Sequence, residues 1–172
     1  MTTNTDQKEY WLLKHSDGRH IIIARRDAEF GSGLVKWIEA KDGNDLRQGA
    51  WDLGMFSSGK PGGEIASLLE RFRGEGYELI SIRTPLSATA LKLLRDLDRL
   101  DDGDGVADEQ VRNGWRLPGG GVYSHRTFQK LDGIGLIDPG NGFTDRVKIL
   151  PVGRDLARYT QRRRAQAGAD HA

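Results

Sequence analysis

The residues best suited to chemistry stand together between positions 123 and 130. Tyr123, Ser124, His125, Arg126, Gln129 and Lys130 are all hydrogen-bonding or cationic. Phe128, Leu131 and Ile134 recur at helical spacing among them. If that apolar stripe faces a core, the polar set lies on the opposite face. An exposed Arg can fork onto guanine O6 and N7, and an exposed Gln can pair with adenine. Tyr123 and Ser124 sit near the expected helix N-terminus, where hydroxyls and N–H groups suit a phosphate. Asn141, Arg146 and Lys148 follow in a Gly/Asn loop and the strand after it. There Arg146 or Lys148 could touch phosphates or enter a minor groove, against the repulsion of Asp145 just before them in the chain.

Other candidate sets are weaker. Asp102-Gly103-Asp104-Gly105 and Glu109 resemble part of a calcium loop, which wants six to eight oxygens at alternating positions. Leu100 stands at a required ligand position, so an acidic turn is the better reading. Gly54 to Lys60 matches G-x-x-x-x-G-K, but Pro61 stands where a phosphate loop needs Ser or Thr, and a plain loop is expected. His15, His20, His125 and His171 show no metal-ligand spacing. Trp11, Trp37 and Trp51 are expected to pack a core. No catalytic arrangement is readable, so neither an enzyme nor a cofactor is expected.

The elements that must position these residues follow from periodicity. Residues 9–14, 20–25 and 34–40 read as strands, with Ser16-Asp17-Gly18-Arg19 as a hairpin turn. Asp42-Gly43-Asn44-Asp45 reads as the end of the third strand. Residues 45–63 read as irregular, with at most a short strand near 50–53. Ile65, Leu68, Leu69 and Phe72 define a helix stopped by Gly74, and residues 77–83 a strand. Thr84-Pro85 reads as a helix cap followed by its first residue. The helix it opens carries Ala90, Leu93, Leu94 and Leu97 to about Leu100. Residues 106–115 read as a second helix, Arg116 to Gly121 as a turn, and 122–137 as a third helix. A strand over 146–150 and a helix over 153–161 close the order.

This order, with its details, resembles a winged helix-turn-helix of the MarR-like and related regulators. In the pattern x-R-x-[hydrophobic]-x-x-L-x-x-x-G-L-[IV], Arg126, Phe128, Leu131, Gly135, Leu136 and Ile137 match. Leu150-Pro151-Val152-Gly153-Arg154-Asp155-Leu156-Ala157 resembles the segment that closes the wing, with Pro151 where Thr is usual. The resemblance covers less than half the chain. It implies double-stranded DNA as partner and a role in transcription regulation; a homodimer is expected of a specific regulator, because two half-sites multiply affinity and selectivity.

The expected fold class is therefore α+β. A small N-terminal antiparallel sheet with one helix (8–83, role open) precedes a winged helix-turn-helix (84–160) and a basic flexible tail (161–172). Charge agrees: residues 111–172 hold 11 Lys/Arg against 5 Asp/Glu, a net of +6, and residues 84–110 hold 3 against 7, a net of −4. The absence of cysteines excludes disulfides and thiolate metal sites. No apolar run approaches the roughly 20 residues that cross a bilayer, and no leader is visible, so a cytoplasmic protein without a membrane partner is expected. The alternative is an adaptor, in which both modules bind proteins and the winged helix is structural.

Overall fold

The structure is a computed structural model and describes residues 8–25, 35–51, 63–119, 121–140 and 146–169. The chain divides into two compact units, Met1–Leu86 and Ser87–Ala172.

In the first unit, β1 (Lys8–Lys14), β2 (His20–Arg25), β3 (Val35–Lys41), β4 (Asn44–Trp51) and β5 (Glu78–Leu86) form one sheet. Its order is β4-β3-β2-β1-β5, and every pairing is antiparallel. Alternation along the strands divides the sheet into two faces. Trp11, Leu13, Ile21, Ile23, Val35 and Trp37 share one face and pack with Ile65, Leu68 and Phe72 of α1 (Gly63–Gly74). Leu12, Ile22 and Ile38 lie in register on the other face and are buried too. This is why β2 reads as an unbroken Ile run rather than an alternating one.

The expected three strands, helix and strand are present, and a fourth strand joins them. β4 occupies residues read as irregular. Asp42 and Gly43 both have positive φ, 51° and 80°, which is the two-residue turn that suits strand twist. The pair therefore reverses the chain instead of ending the sheet. The G-x-x-x-x-G-K stretch lies outside the described residues.

Thr84 and Pro85 do not open a helix. They lie in β5, paired with Tyr10 and Glu9 of β1. In the second unit the cap of α2 (Ala88–Leu100) is Ser87, whose Oγ accepts from the Ala90 N–H at 3.2 Å. Ala90, Leu91, Leu93, Leu94 and Leu97 are buried on one stripe of α2, which packs against α4 (Pro151–Ala169).

The expected second helix at 106–115 is not formed. Val106 makes a single antiparallel bridge to Val147, and β6 (Glu109–Val111), β7 (Gly114–Arg116) and β8 (Val122–Ser124) build a three-stranded sheet. Gly114 makes the sheet possible: a Cβ there would stand 2.0 Å from the Tyr123 carbonyl oxygen. The third helix is shorter than expected. α3 spans His125–Ile134, because residues 122–124 belong to β8. Gly135 ends α3 in the left-handed conformation at φ 82°, and its N–H bonds back to the helix. A short antiparallel pair, β9 (Ile137–Asp138) and β10 (Lys148–Ile149), follows. Pro151 is the first residue of α4, where its missing N–H costs nothing. The expected tail is not a tail over most of its length: α4 continues through residues 161–169.

Candidate nucleic-acid interface

α3 begins where β8 stops. Ser124 is its N-cap, and its Oγ accepts from the Thr127 N–H at 3.3 Å. Phe128 and Leu131 are buried, as their spacing required, and Ile134 is half-buried. The opposite side presents Ser124, Arg126 and Gln129 to solvent, with His125 and Lys130 half-buried. His125 meets the ring of Trp115 edge-on, centroids 5.3 Å apart, and Trp115 also lies 6.5 Å from Phe128. The β6–β8 sheet thus buttresses α3 on the side where a second helix was expected.

Tyr123 does not join this exposed set. It is 3% exposed. Its hydroxyl donates to Asp96 and accepts from Lys92 Nζ, at 2.9 Å, both on α2. β8 alternates here, so Tyr123 points inward while its neighbours Val122 and Ser124 point out. Burial, and then the Asp96 carboxylate, push its phenol up. The Asp96 carboxyl is raised by burial but held lower, on balance, by the Tyr123 and Lys92 hydrogen bonds. Tyr123 is a clamp between β8 and α2, not a phosphate ligand. Only its alternation with Ser124 hinted at this.

Arg146 and Lys148 are both exposed and lie on one side of their strand, flanking Gly105. A Cβ on Gly105 would come within 2.9 Å of each side chain, so a glycine here lets the two cations close over the loop. Asn141 and Asp145 lie outside the described residues.

The cations of this unit fall into two groups. Arg154 and Arg158 bind the two oxygens of Asp98, each at 3.1 Å. Lys92 and Arg99 pair with Asp96, and Arg116 with Glu109. Among the described residues, Arg112, Arg126, Lys130, Arg146, Lys148 and Arg164 form no ion pair. Part of the +6 segment is therefore neutralised by the acidic segment before it, and four of the cations left over stand on α3 and beside the β9–β10 turn.

Asp101 organises the acidic loop, a role that the calcium-like spacing disguised. It is 4% exposed. Its Oδ1 accepts from the N–H groups of Gly103 and Gly105, and its Oδ2 from Ile149 N–H, all at 2.9 Å. Burial raises its carboxyl, and these three backbone donors outweigh burial and hold it below the ordinary range. Arg154 adds a guanidinium 3.8 Å away. Asp108 directly precedes β6, and burial pushes its carboxyl up.

A second charged cluster belongs to the first unit and was not foreseen. Glu39 is 3% exposed on β3. It accepts from Arg19 at 3.0 Å, from Arg47 Nε at 2.7 Å and from the Tyr77 hydroxyl. Arg47 also pairs with Glu75, which accepts from Arg71 at 3.1 Å. The guanidiniums of Arg47 and Arg71 lie 5.7 and 5.4 Å from the Trp37 ring centre. The ring itself rests against Gly49, where a Cβ would come within 2.5 Å of it. Burial raises the Glu39 carboxyl, but Arg47 and Tyr77 outweigh that and hold it lowered. With Asp17 on Arg19, the cluster sets three guanidiniums against three carboxylates.

Among the described residues no group of three or more His, Asp or Glu side chains could hold a metal ion. No helix of the described residues is long and apolar enough to cross a membrane. Comparison with family models, with curated proteins and with solved structures returns no match.

Proposed function

We propose that the chain binds double-stranded DNA through α3 and the β9–β10 hairpin, and that it serves as a transcription regulator. The observation that carries this reading is the distribution of charge. Arg126 and Lys130 on α3, with Arg146 and Lys148 beside the hairpin, form no ion pair among the described residues, whereas Arg154 and Arg158 are bound to Asp98. Exposed cations without an internal partner are what a phosphate lattice can recruit. Arg126 and Gln129 lie one turn apart and supply forks for guanine and adenine edges.

The order α3–β9–β10–α4, with Val106 bridged to Val147, supports the winged-helix reading. The β6–β8 sheet stands where that fold has its second helix. A homodimer reading two half-sites belongs to the same proposal. The adaptor reading draws on that same sheet, whose outer face exposes Val122 at 52%.

The deciding experiment is the anisotropy of a labelled random-sequence duplex titrated with the protein at low and moderate salt. Binding should weaken steeply with salt, and the double variant Arg126→Ala/Lys130→Ala should lose about ten-fold or more in affinity. Absence of binding at low salt would overturn the DNA reading. Retention of Val122-dependent capture of a protein partner would then favour the adaptor.

A further inference from the structure

The β6–β8 sheet has two unlike ends. In register, Glu109, Arg116 and Val122 form one cross-strand row, and Val111, Gly114 and Ser124 another. In the row between them, Trp115 and Tyr123 turn inward onto α3 and α2. The row of Glu109 lies at the end remote from α3. Its two charges are paired with each other at 3.3 Å. The connection beyond it, Leu117-Pro118-Gly119-Gly120-Gly121, carries no charge. The row of Ser124 lies at the end from which α3 departs, because Ser124 closes β8 and caps α3. At this end the two-residue turn Arg112-Asn113 joins β6 to β7. Both turn residues are exposed. No acidic residue stands in this row or in the turn, and Arg112 makes no ion pair among the described residues. Turn geometry does not ask for these residue types. A tight hairpin selects Asn or Gly for positive φ, and neither Arg112 nor Asn113 has it.

We infer that the Arg112–Asn113 turn binds the phosphate backbone of the duplex, on the flank of the groove that receives α3. This rests on the DNA reading above. Val111 lies two strands away from Ser124, about 10 Å at about 4.8 Å per strand. A helix centred in a groove about 12 Å wide has a phosphate wall about 6 Å to each side. Side chains standing about 10 Å to one side of the helix start therefore meet that wall and not the base edges. Charge complementarity commits the occupant: the turn offers a guanidinium without an internal counter-ion and an amide donor, both suited to phosphate oxygens. The exposed apolar residue of the sheet, Val122, belongs to the other end. The Arg146 and Lys148 contacts follow the last residue of α3, whereas this turn flanks its first, so the two hold opposite ends of one helix.

The test compares the full chain with R112Q, N113K and R73Q on a labelled duplex across a salt series. All three substitutions fall on exposed positions, and R73Q removes the same charge from α1 of the other unit. For R112Q the slope of log affinity against log salt should be smaller in magnitude by about 0.9, the share of one phosphate contact. For N113K, which adds a cation to the same turn, it should be larger by a similar amount. R73Q should match the unaltered chain. The preference of R112Q among duplex sequences should not change, because backbone contacts carry no base identity. Equal slopes for all four proteins would overturn the turn contact and leave the α3 reading standing. An equal drop in R112Q and R73Q would overturn it too, since net charge alone would then be responsible. If the unaltered chain binds no duplex, the underlying reading fails and the turn contact falls with it.

Discussion

Glu39 shows what one buried carboxylate can hold. Two arginines and a tyrosine converge on its two oxygens. Replacing it with Gln keeps the shape and removes the one carboxylate that Arg19 and Arg47 share, while Asp17 and Glu75 still pair with one each. Arg47 is 37% exposed, so water screens part of that loss, and about 1 to 3 kcal/mol is expected. The pH dependence follows from the direction of the shift. The folded carboxyl titrates below its ordinary value near 4.5, so its contribution is present above that value and is lost as pH falls through the folded one. Urea unfolding of E39Q against the unaltered protein should therefore show the full difference at pH 7 and a shrinking one below about pH 4. A difference that stayed constant on acidification would mean that the loss is one of packing rather than charge.

At the scale of elements, α3 and its two ends carry the argument. Ser124→Ala removes the acceptor for the Thr127 N–H and should cost about 0.5 to 2 kcal/mol, measured by thermal or urea unfolding. Gly153→Ala should cost more. A Cβ there would sit 2.1 Å from the Leu136 carbonyl oxygen, so α4 would have to move off the strand that follows α3. If both variants unfold alike, the close approach at Gly153 is not holding α4 in place. These elements also show what could be read from residues alone. The stripe Phe128–Leu131 and the Ile-rich β2 were legible because apolar period is a local property, whereas the helix was expected to run past Gly135 to residue 137. β4 was not, because Asn44–Trp51 is polar and its hairpin turn was taken as a terminator. The β6–β8 sheet was hidden for a related reason. Its strands have three residues each, too few to show a period, and Gly114 is required by a contact with β8 rather than by local conformation. The exposed candidates Arg126 and Gln129 followed directly from the stripe, whereas the inward turn of Tyr123 depended on a strand boundary two residues away from where the helix was expected to start.

Across each unit, charges are allotted rather than scattered. In the second unit the acidic face of α2 takes up arginines of α4: Asp98 holds Arg154 and Arg158, and Asp101 ties the loop to β10. Removing the Asp98 carboxylate should act in two directions. D98A should lower the stability of this unit by about 1 to 3 kcal/mol, because two half-buried guanidiniums lose an acceptor. It should also raise low-salt affinity for a random duplex, because the unit loses one negative charge beside Arg154 and Arg158. Unfolding and anisotropy on the same preparation separate the two effects. Lower stability with unchanged duplex affinity would place Arg154 and Arg158 away from any phosphate path.

The order β4-β3-β2-β1-β5 has a consequence for how the first unit is made. β1 is flanked by β2, which follows it almost at once, and by β5, which pairs Lys8 with Leu86. As the chain leaves the ribosome, the first four strands can assemble as successive hairpins, but one edge of β1 stays bare until residue 86 has emerged. That edge belongs to a strand whose residues Tyr10 to Leu13 are all destined for burial. Nascent chains paused before β5 therefore present an apolar strand edge ready for a wrong neighbour. Slow translation ahead of Glu78 should be the point at which this protein is most exposed to misassembly.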